Sequence, residues 1–304
     1  MTRAGLPPIE AVIPAHAPEA SLLTRAVESA LACATTERVI VVDGASPAAI
    51  TRASLPGDGR VELVRTEQRG PSAARNVGLD LASAPWVLLL DHDDAAEPSG
   101  VEAGLRLARE LQAVAVVSAR TEEVVGDDGT TSDRFRQVPV GFGGKALARA
   151  DDVFEPIALF GASGLLVRQD VLLDGVRYDE DLWIGEDRDF LRRVGARGAI
   201  AVNPEPAVRV RLHRATAGNL SSAAHLERRV RDHLVLLERW FGVESERHFE
   251  DATRWLLHAC ARAGVEDRVW SDLVAAARVH GWRVPMKTRW RRWRSRGGSG
   301  GGES

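Results

Sequence analysis

The sequence predicts an α/β fold with a mostly parallel central sheet, followed by a helical C-terminal region. Three observations predict it. Short apolar runs alternate with amphipathic helical stretches up to about residue 120, the pattern of parallel strands joined by crossover helices. Several of the apolar runs end in acids. From Ser222 onward apolar residues recur at helical spacing.

The elements follow in order. IEAVIPA (9–15) reads as a first buried strand. In PEASLLTRAVESALACA (18–34), Leu22, Leu23, Ala26, Val27, Ala30 and Leu31 share one helical face. RVIVVDG is a second buried strand that ends in Asp43, and RVELVRT is a shorter third. GPSAARNVGLDLAS is a helix with Gly70 and Pro71 at its start. PWVLLLDHDD is a fourth strand, EPSGVEAGLRLARELQ a helix and AVAVVSART a fifth strand. After Arg120 the stretch TEEVVGDDGTTSDRFRQ is polar and turn-rich, so a hairpin or loop is expected. GASGLLVRQDVL is small-residue-rich and then apolar. LWIGEDRDFLRRVGARG sets an acidic pair at the start of an amphipathic helix, and AIAVNPEPAVRVRLHR reads as late strands. The last helices are AAHLERRVRDHLVLLERWFG, RHFEDATRWLLHACARAG and DRVWSDLVAAARVHG.

Composition narrows the function. With 304 residues and 44% hydrophobic content, the chain can bury a sizeable core. A formal net charge of −3 argues against a nucleic-acid-coating protein. Two cysteines, Cys33 and Cys260, give no disulfide framework, so a reducing, cytoplasmic compartment is expected. The N-terminus shows no secretory pattern, and no apolar run is long enough to span a bilayer. The end of the chain is rich in Arg and Trp (Trp290, Trp293) and then in Gly and Ser. The Arg/Trp segment suits either an anionic membrane surface at the inner face or a terminal helix docked on the body. The Gly/Ser tail, 295–304, reads as disordered.

Chemistry concentrates in the acids that follow the strands. Asp43, Asp91, Asp93 and Asp94 each lie at or just after the C-terminal end of a strand, the edge where open α/β sheets bind ligands. Three carboxylates after one buried strand repel one another unless water or a cation compensates them. Their hard oxygens suit Mg²⁺ or Mn²⁺, ions that also coordinate substrate phosphates. In an extended segment, Asp91 and Asp93 would face the same side. Neither a G-x-G-x-x-G fingerprint nor a G-x-x-x-x-G-K-[ST] loop occurs, which leaves the metal to hold phosphate. In WIGEDRDFLRRVG, Gly185 permits a tight turn. The helix start is expected to lower the pKa of Glu186 and Asp187.

The ordered series VIPAHAPEASLLTRAVESALAC, VIVVDGAS, RGPSAARNVGLDLASAPWVLLLDHDD and WIGEDRDFLRRV resembles the GT-A fold glycosyltransferases of family 2. The likeness covers roughly residues 8–221 and is most specific from Arg69 to Asp94. It implies a GT-A domain over 1–221, with a nucleotide-sugar half over about 8–120 and an acceptor half over about 121–221. A helical region over 222–294 follows.

The resemblance also implies roles. Asp43 would touch the base or ribose of a nucleotide-diphosphate sugar. Asp91 and Asp93 would hold Mn²⁺ or Mg²⁺ on the diphosphate, with His213 as a third ligand. Asp187 would be the general base of an inverting transfer to a carbohydrate, lipid-linked or small-molecule acceptor, and Glu186 would orient it or the acceptor. Pro14, Ala15 and His16 match the family's IPTYN segment and would line the nucleotide, with His92 also on the donor side. Arg69, Arg75 and Asn76 flank a helix start over the crevice, and Arg75 is expected to pair with Asp43 or a phosphate. The wall of the acceptor site is expected from about residues 121–160 and the turn Gly161–Gly164.

Two departures stand out. VDGAS carries one acid where the family often has two, and His16 stands where Tyr is common. Rival readings are a sugar-1-phosphate nucleotidyltransferase, a phosphohydrolase with an Asp nucleophile, and a non-catalytic binding module. The first lacks its Gly-rich basic loop after the first strand, and the second would carry D-x-D there. The C-terminal helices leave three roles open: covering the acceptor site, pairing in a homodimer, or touching a membrane.

Overall fold

Strand β1 (Ile9–Ala15) is buried along its whole length and lies inside the sheet, as its unbroken apolar run requires. The computed structural model describes residues 5–68, 70–126, 129–136, 145–147, 161–213, 225–242, 246–263, 265–288 and 292. The strands that follow are β2 (Thr36–Gly44), β3 (Val61–Thr66), β4 (Trp86–Leu89), β5 (Ala95–Ala96) and β6 (Ala115–Val125). After them come β7 (Thr131–Arg136), β8 (Lys145–Leu147), β9 (Leu166–Arg168) and β10 (Ile200–His213). The sheet order is β3-β2-β1-β4-β9-β6-β10-β5. The block β3-β2-β1-β4 is entirely parallel, as is the β6–β10 pair. Strands β5, β7, β8 and β9 join antiparallel.

Alternate side chains of the central strands feed two cores. Ala11, Ile13, Val39, Val41 and Leu88 meet helices α1 (Ala20–Ala32) and α3 (Pro98–Leu111) on one face. Val12, Ile40, Val42, Val87 and Leu89 meet α2 (Pro71–Leu81), α4 (Gln169–Leu173) and α5 (Glu186–Gly195) on the other. This is the period-2 signature of a sheet covered on both sides. Gly100 lets α3 press against β10, since a Cβ there would lie 1.7 Å from the Pro206 carbonyl oxygen.

Two expectations change in detail and a third is narrowed to one of its alternatives. β4 stops at Leu89 rather than running on to Asp94; Leu90 still donates its amide to Val12 (3.1 Å), and the chain then turns. The late strands are one strand, β10, whose register shifts at Asn203–Pro206 and again before Val208, because Pro204 and Pro206 cannot donate to the ladder. The polar stretch after Arg120 forms the antiparallel β6–β7 hairpin, with Gly126 donating its amide to the Thr130 carbonyl at 2.8 Å.

The chain divides into two compact units, Met1–Asp181 with Glu186–Ala215, and Leu182–Gly185 with Thr216–Ser304. The second unit contains α6 (Leu226–Trp240), α7 (Glu246–Ala263) and α8 (Asp267–Val279). They pack around Val230, Leu257, Cys260 and Leu273. Within this unit the Asp232 carboxylate accepts the amides of Trp183 and Ile184, both at 3.0 Å. No helix among the described residues is long and apolar enough to cross a membrane.

Candidate active site

The acids after β4 do not lie on an extended segment. Asp94 donates its amide to the Asp91 carbonyl (3.1 Å), which closes a turn over Asp91–Asp94. The strand alternation expected for Asp91 and Asp93 therefore does not apply. Neighbouring elements pin the turn instead. Asp91 donates its amide to Ser163 Oγ (3.1 Å), and Arg25 of α1 donates to the Asp93 carbonyl (3.0 Å). The Asp94 carboxylate is buried and accepts the Arg211 amide of β10 at 2.9 Å. Burial, followed by the charges of Asp91 and Asp93, pushes its pKa up to about 8, against the hydrogen bonds from Ser163 and Arg211. Asp94 is thus a full member of the acid cluster.

The second acidic pair opens α5. Gly185 precedes it with φ +87°, the left-handed turn that glycine allows. Both pKa values move up, against the expectation from the helix start. Burial and then the Asp187 charge push Glu186 up to about 7, while Arg75 pulls it down. Asp187 also rises through burial, with Arg188 and Arg75 opposing. Desolvation outweighs the helix dipole here.

Arg75 links the two acid groups. It is buried on α2, donating to Asp91 at 2.9 Å and to Glu186 at 3.0 Å, residues far apart in sequence. Its guanidinium also lies 5.2 Å from the Tyr178 ring centroid. Burial opposes its charge, but Asp91 and Glu186 outweigh that and hold its pKa above the ordinary value. Arg75 thus pairs with these acids rather than with Asp43. Asp187 is half-buried, and a Cβ built on Gly161 would meet its Oδ2 at 4.0 Å. The Gly161–Gly164 turn therefore lies beside Asp187.

Other expected residues fall elsewhere. Asp43 stands at the same sheet edge, paired in register with Ala15. β1 separates its strand from β4, so it lies about two strand spacings, roughly 10 Å, from the acid turn. Its carboxylate is taken by the Ser46 amide (3.0 Å), the Ile50 amide (3.1 Å) and Arg65 (2.7 Å). Burial raises its pKa, and these hydrogen bonds outweigh burial and hold it below the usual range. Pro14 and Ala15 are buried at the end of β1. The exposed His16 ring is tied through Nδ1 to the Gly44 carbonyl at 2.7 Å. Asn76, expected on the donor, instead clamps the backbone at Tyr178 and the Glu180 carboxylate. His92 is partly exposed in the acid turn. His213 closes β10 opposite Val125, and its side chain lies outside the described ones. Arg69 and residues 127–128, 137–144 and 148–160 of the expected acceptor wall also lie outside the described residues.

Sequence reasoning set the GASG turn in the acceptor wall but did not foresee that Ser163 supports the acid turn, and it omitted Tyr178, for which it had no signal. Among the described residues no three His, Cys, Asp or Glu side chains already form a metal-holding group.

Known proteins agree with this architecture. Two proteins of Rhizobium meliloti (strain 1021) are 32% identical to the chain. One is the succinoglycan biosynthesis protein ExoU, over 194 residues, 59% of this chain and 55% of that one. The other is the succinoglycan biosynthesis protein ExoO, over 201 residues, 61% of this chain and 55% of that one. The chain thus spans just over half the length of each. Among solved structures, S. aureus TarS 1–349 superposes with TM-score 0.57 at 16% identity, covering 95% of this chain and 88% of that one. TarS has also been solved with UDP-GlcNAc, and that structure superposes with TM-score 0.58. At this identity the likeness shows a shared fold, the GT-A fold. The family model for glycosyl transferase family 2 matches residues 10–172, more than half of the sequence. On that match the chain belongs to glycosyl transferase family 2.

Proposed function

We propose that the chain transfers a sugar from a nucleotide-diphosphate sugar to an acceptor hydroxyl, with inversion at the anomeric carbon. The observation that carries this reading is the half-buried Asp187 carboxylate. Its pKa lies above the ordinary value, and it stands beside the Gly161–Gly164 turn, in one electrostatic cluster with the acid turn. A base with a raised pKa suits removal of a hydroxyl proton near neutrality. The TarS complexes with UDP and UDP-GlcNAc support a nucleotide-sugar donor.

Asp91 and Asp93 would hold a Mn²⁺ or Mg²⁺ ion. The fit rests on the charge of the turn: three carboxylates within four residues, one of them pushed up to about 8 by burial and by its neighbours. The cation would take further ligands from the donor's phosphate oxygens, and it would supply charge neutralisation for the departing nucleoside diphosphate. The chain's own residues do the rest. Ser163 and Arg25 hold the acid turn in place. Arg75 pairs with both Asp91 and Glu186 and so ties the acid turn to the start of α5. Asp187 takes the acceptor proton as the hydroxyl attacks, in a single displacement through an oxocarbenium-like transition state.

The test is Asp187→Asn. Transfer falls by about 10²–10⁴-fold, while nucleotide-sugar affinity measured by calorimetry stays near wild type. A variant with full turnover removes Asp187 from the base role. A screen of nucleotide sugars with Mn²⁺ by thermal shift identifies the donor, since binding stabilises the folded state.

A further inference from the structure

We infer that the C-terminal end of the second unit docks on an anionic lipid surface. The charge distribution is the first observation. Residues 273–302 contain eight Arg and Lys and no acid, while residues 1–272 carry 42 acids against 32 bases. An overall charge of −3 therefore hides an acid-rich remainder and an acid-free basic stretch near the end.

The second observation is structural. The basic end is held by the body of its unit. Thr288 is fully buried and shares a hydrogen bond with His258 Nδ1 (2.9 Å). Arg292 is buried, donates to Asp267 (2.8 Å) and lies 5.8 Å from the Trp270 ring centroid. Between the last turn of α8 and these anchors, Val279 is 80% exposed and Met286 82% exposed. Arg278, Arg283 and Lys287 are exposed in the same stretch. Large apolar side chains that open to solvent, interleaved with cations and without an acid, match the two parts of a bilayer interface: acyl boundary and anionic headgroups. A nucleic acid would satisfy the cations but not Val279 and Met286. The inference is independent of the transfer chemistry.

Co-sedimentation of the full chain with vesicles tests it. The protein pellets with phosphatidylcholine mixed with phosphatidylglycerol and stays in solution with phosphatidylcholine alone. Raising salt releases it, because screening shortens the reach of the charges. Replacing Arg278, Arg283 and Lys287 by Gln lowers partitioning by about 100-fold, at about one kcal/mol for each cation. The pair Val279→Ser and Met286→Ser lowers it by about 10-fold or more. All five positions are exposed, so circular-dichroism melting stays at the wild-type midpoint. Should the triple variant misfold, the salt dependence and the apolar pair carry the test. Donor hydrolysis by every variant in solution matches wild type, which separates this test from that of the catalytic reading. Several results would overturn the inference: no pelleting with anionic vesicles at low salt, release by inorganic phosphate at matched ionic strength, equally tight binding to duplex DNA, or unchanged partitioning of the apolar pair.

Discussion

Glu186→Gln isolates the electrostatic strain of the site. Glu186 is 9% exposed, and its pKa stands at about 7 against an ordinary 4.5. A carboxyl whose folded-state pKa is raised favours the folded protein while it holds its proton. That contribution is complete below pH 4.5 and is lost as the pH rises through about 7. The full amount is about 3 kcal/mol, most of which disappears between pH 5 and pH 8.5. Glutamine keeps the shape and an acceptor for Arg75 but does not titrate. Relative to wild type, the variant therefore gains about 2–3 kcal/mol over that interval, equivalent to roughly 5–10 °C in melting temperature. The second unit can melt separately, so the reading is taken from native-state hydrogen exchange of the β1 and β4 amides. Parallel stability profiles for the two proteins from pH 5 to pH 8.5 would refute the reasoning: Glu186 would then not be desolvated against Asp187.

Three other substitutions probe separate parts of the structure. Gly161→Leu projects a side chain toward Asp187 Oδ2; acceptor KM should rise by about 10-fold or more with donor affinity unchanged, and an unaltered acceptor KM would place the acceptor elsewhere. Asp93→Ala should remove the Mn²⁺-dependent part of nucleoside-diphosphate affinity in calorimetry, with little change in melting temperature because Arg25 holds the Asp93 carbonyl rather than its carboxylate. Gly100→Ala puts a Cβ 1.7 Å from a backbone oxygen that cannot rotate away, so the denaturation midpoint should drop by the equivalent of about 3 kcal/mol or more; an unchanged midpoint would mean that α3 and β10 do not pack this closely.

Much of the fold was legible because it is written locally. The apolar runs of β1, β2 and β4 and the helical spacing of Leu23, Val27 and Ala30 each need only a window of a few residues. Where local signals compete, reading fails. Asp91 and Asp93 looked extended because the run before them is a strand, yet the turn closes through the Asp94 amide. Asn76 had the right address for a ligand residue, but its amide serves the backbone of Tyr178, a partner no local pattern announces.

By itself the sequence determined the order of β1 to β4, β6 and α1 to α3, the sheet edge where Asp43 and the 91–94 acids emerge, and the helix that starts at Glu186, but not β5, β8, β9 or α4. These follow from periodicity and from the rule that strands of a parallel block end on one side. Only the tertiary structure decided that Arg75 bridges Asp91 and Glu186, that Asp43 turns into its own loop, and that the pKa values of Glu186, Asp187 and Asp94 move up. The reason is physical: pairing between distant segments and the loss of water around a carboxylate depend on which faces meet, and no stretch of sequence carries that by itself.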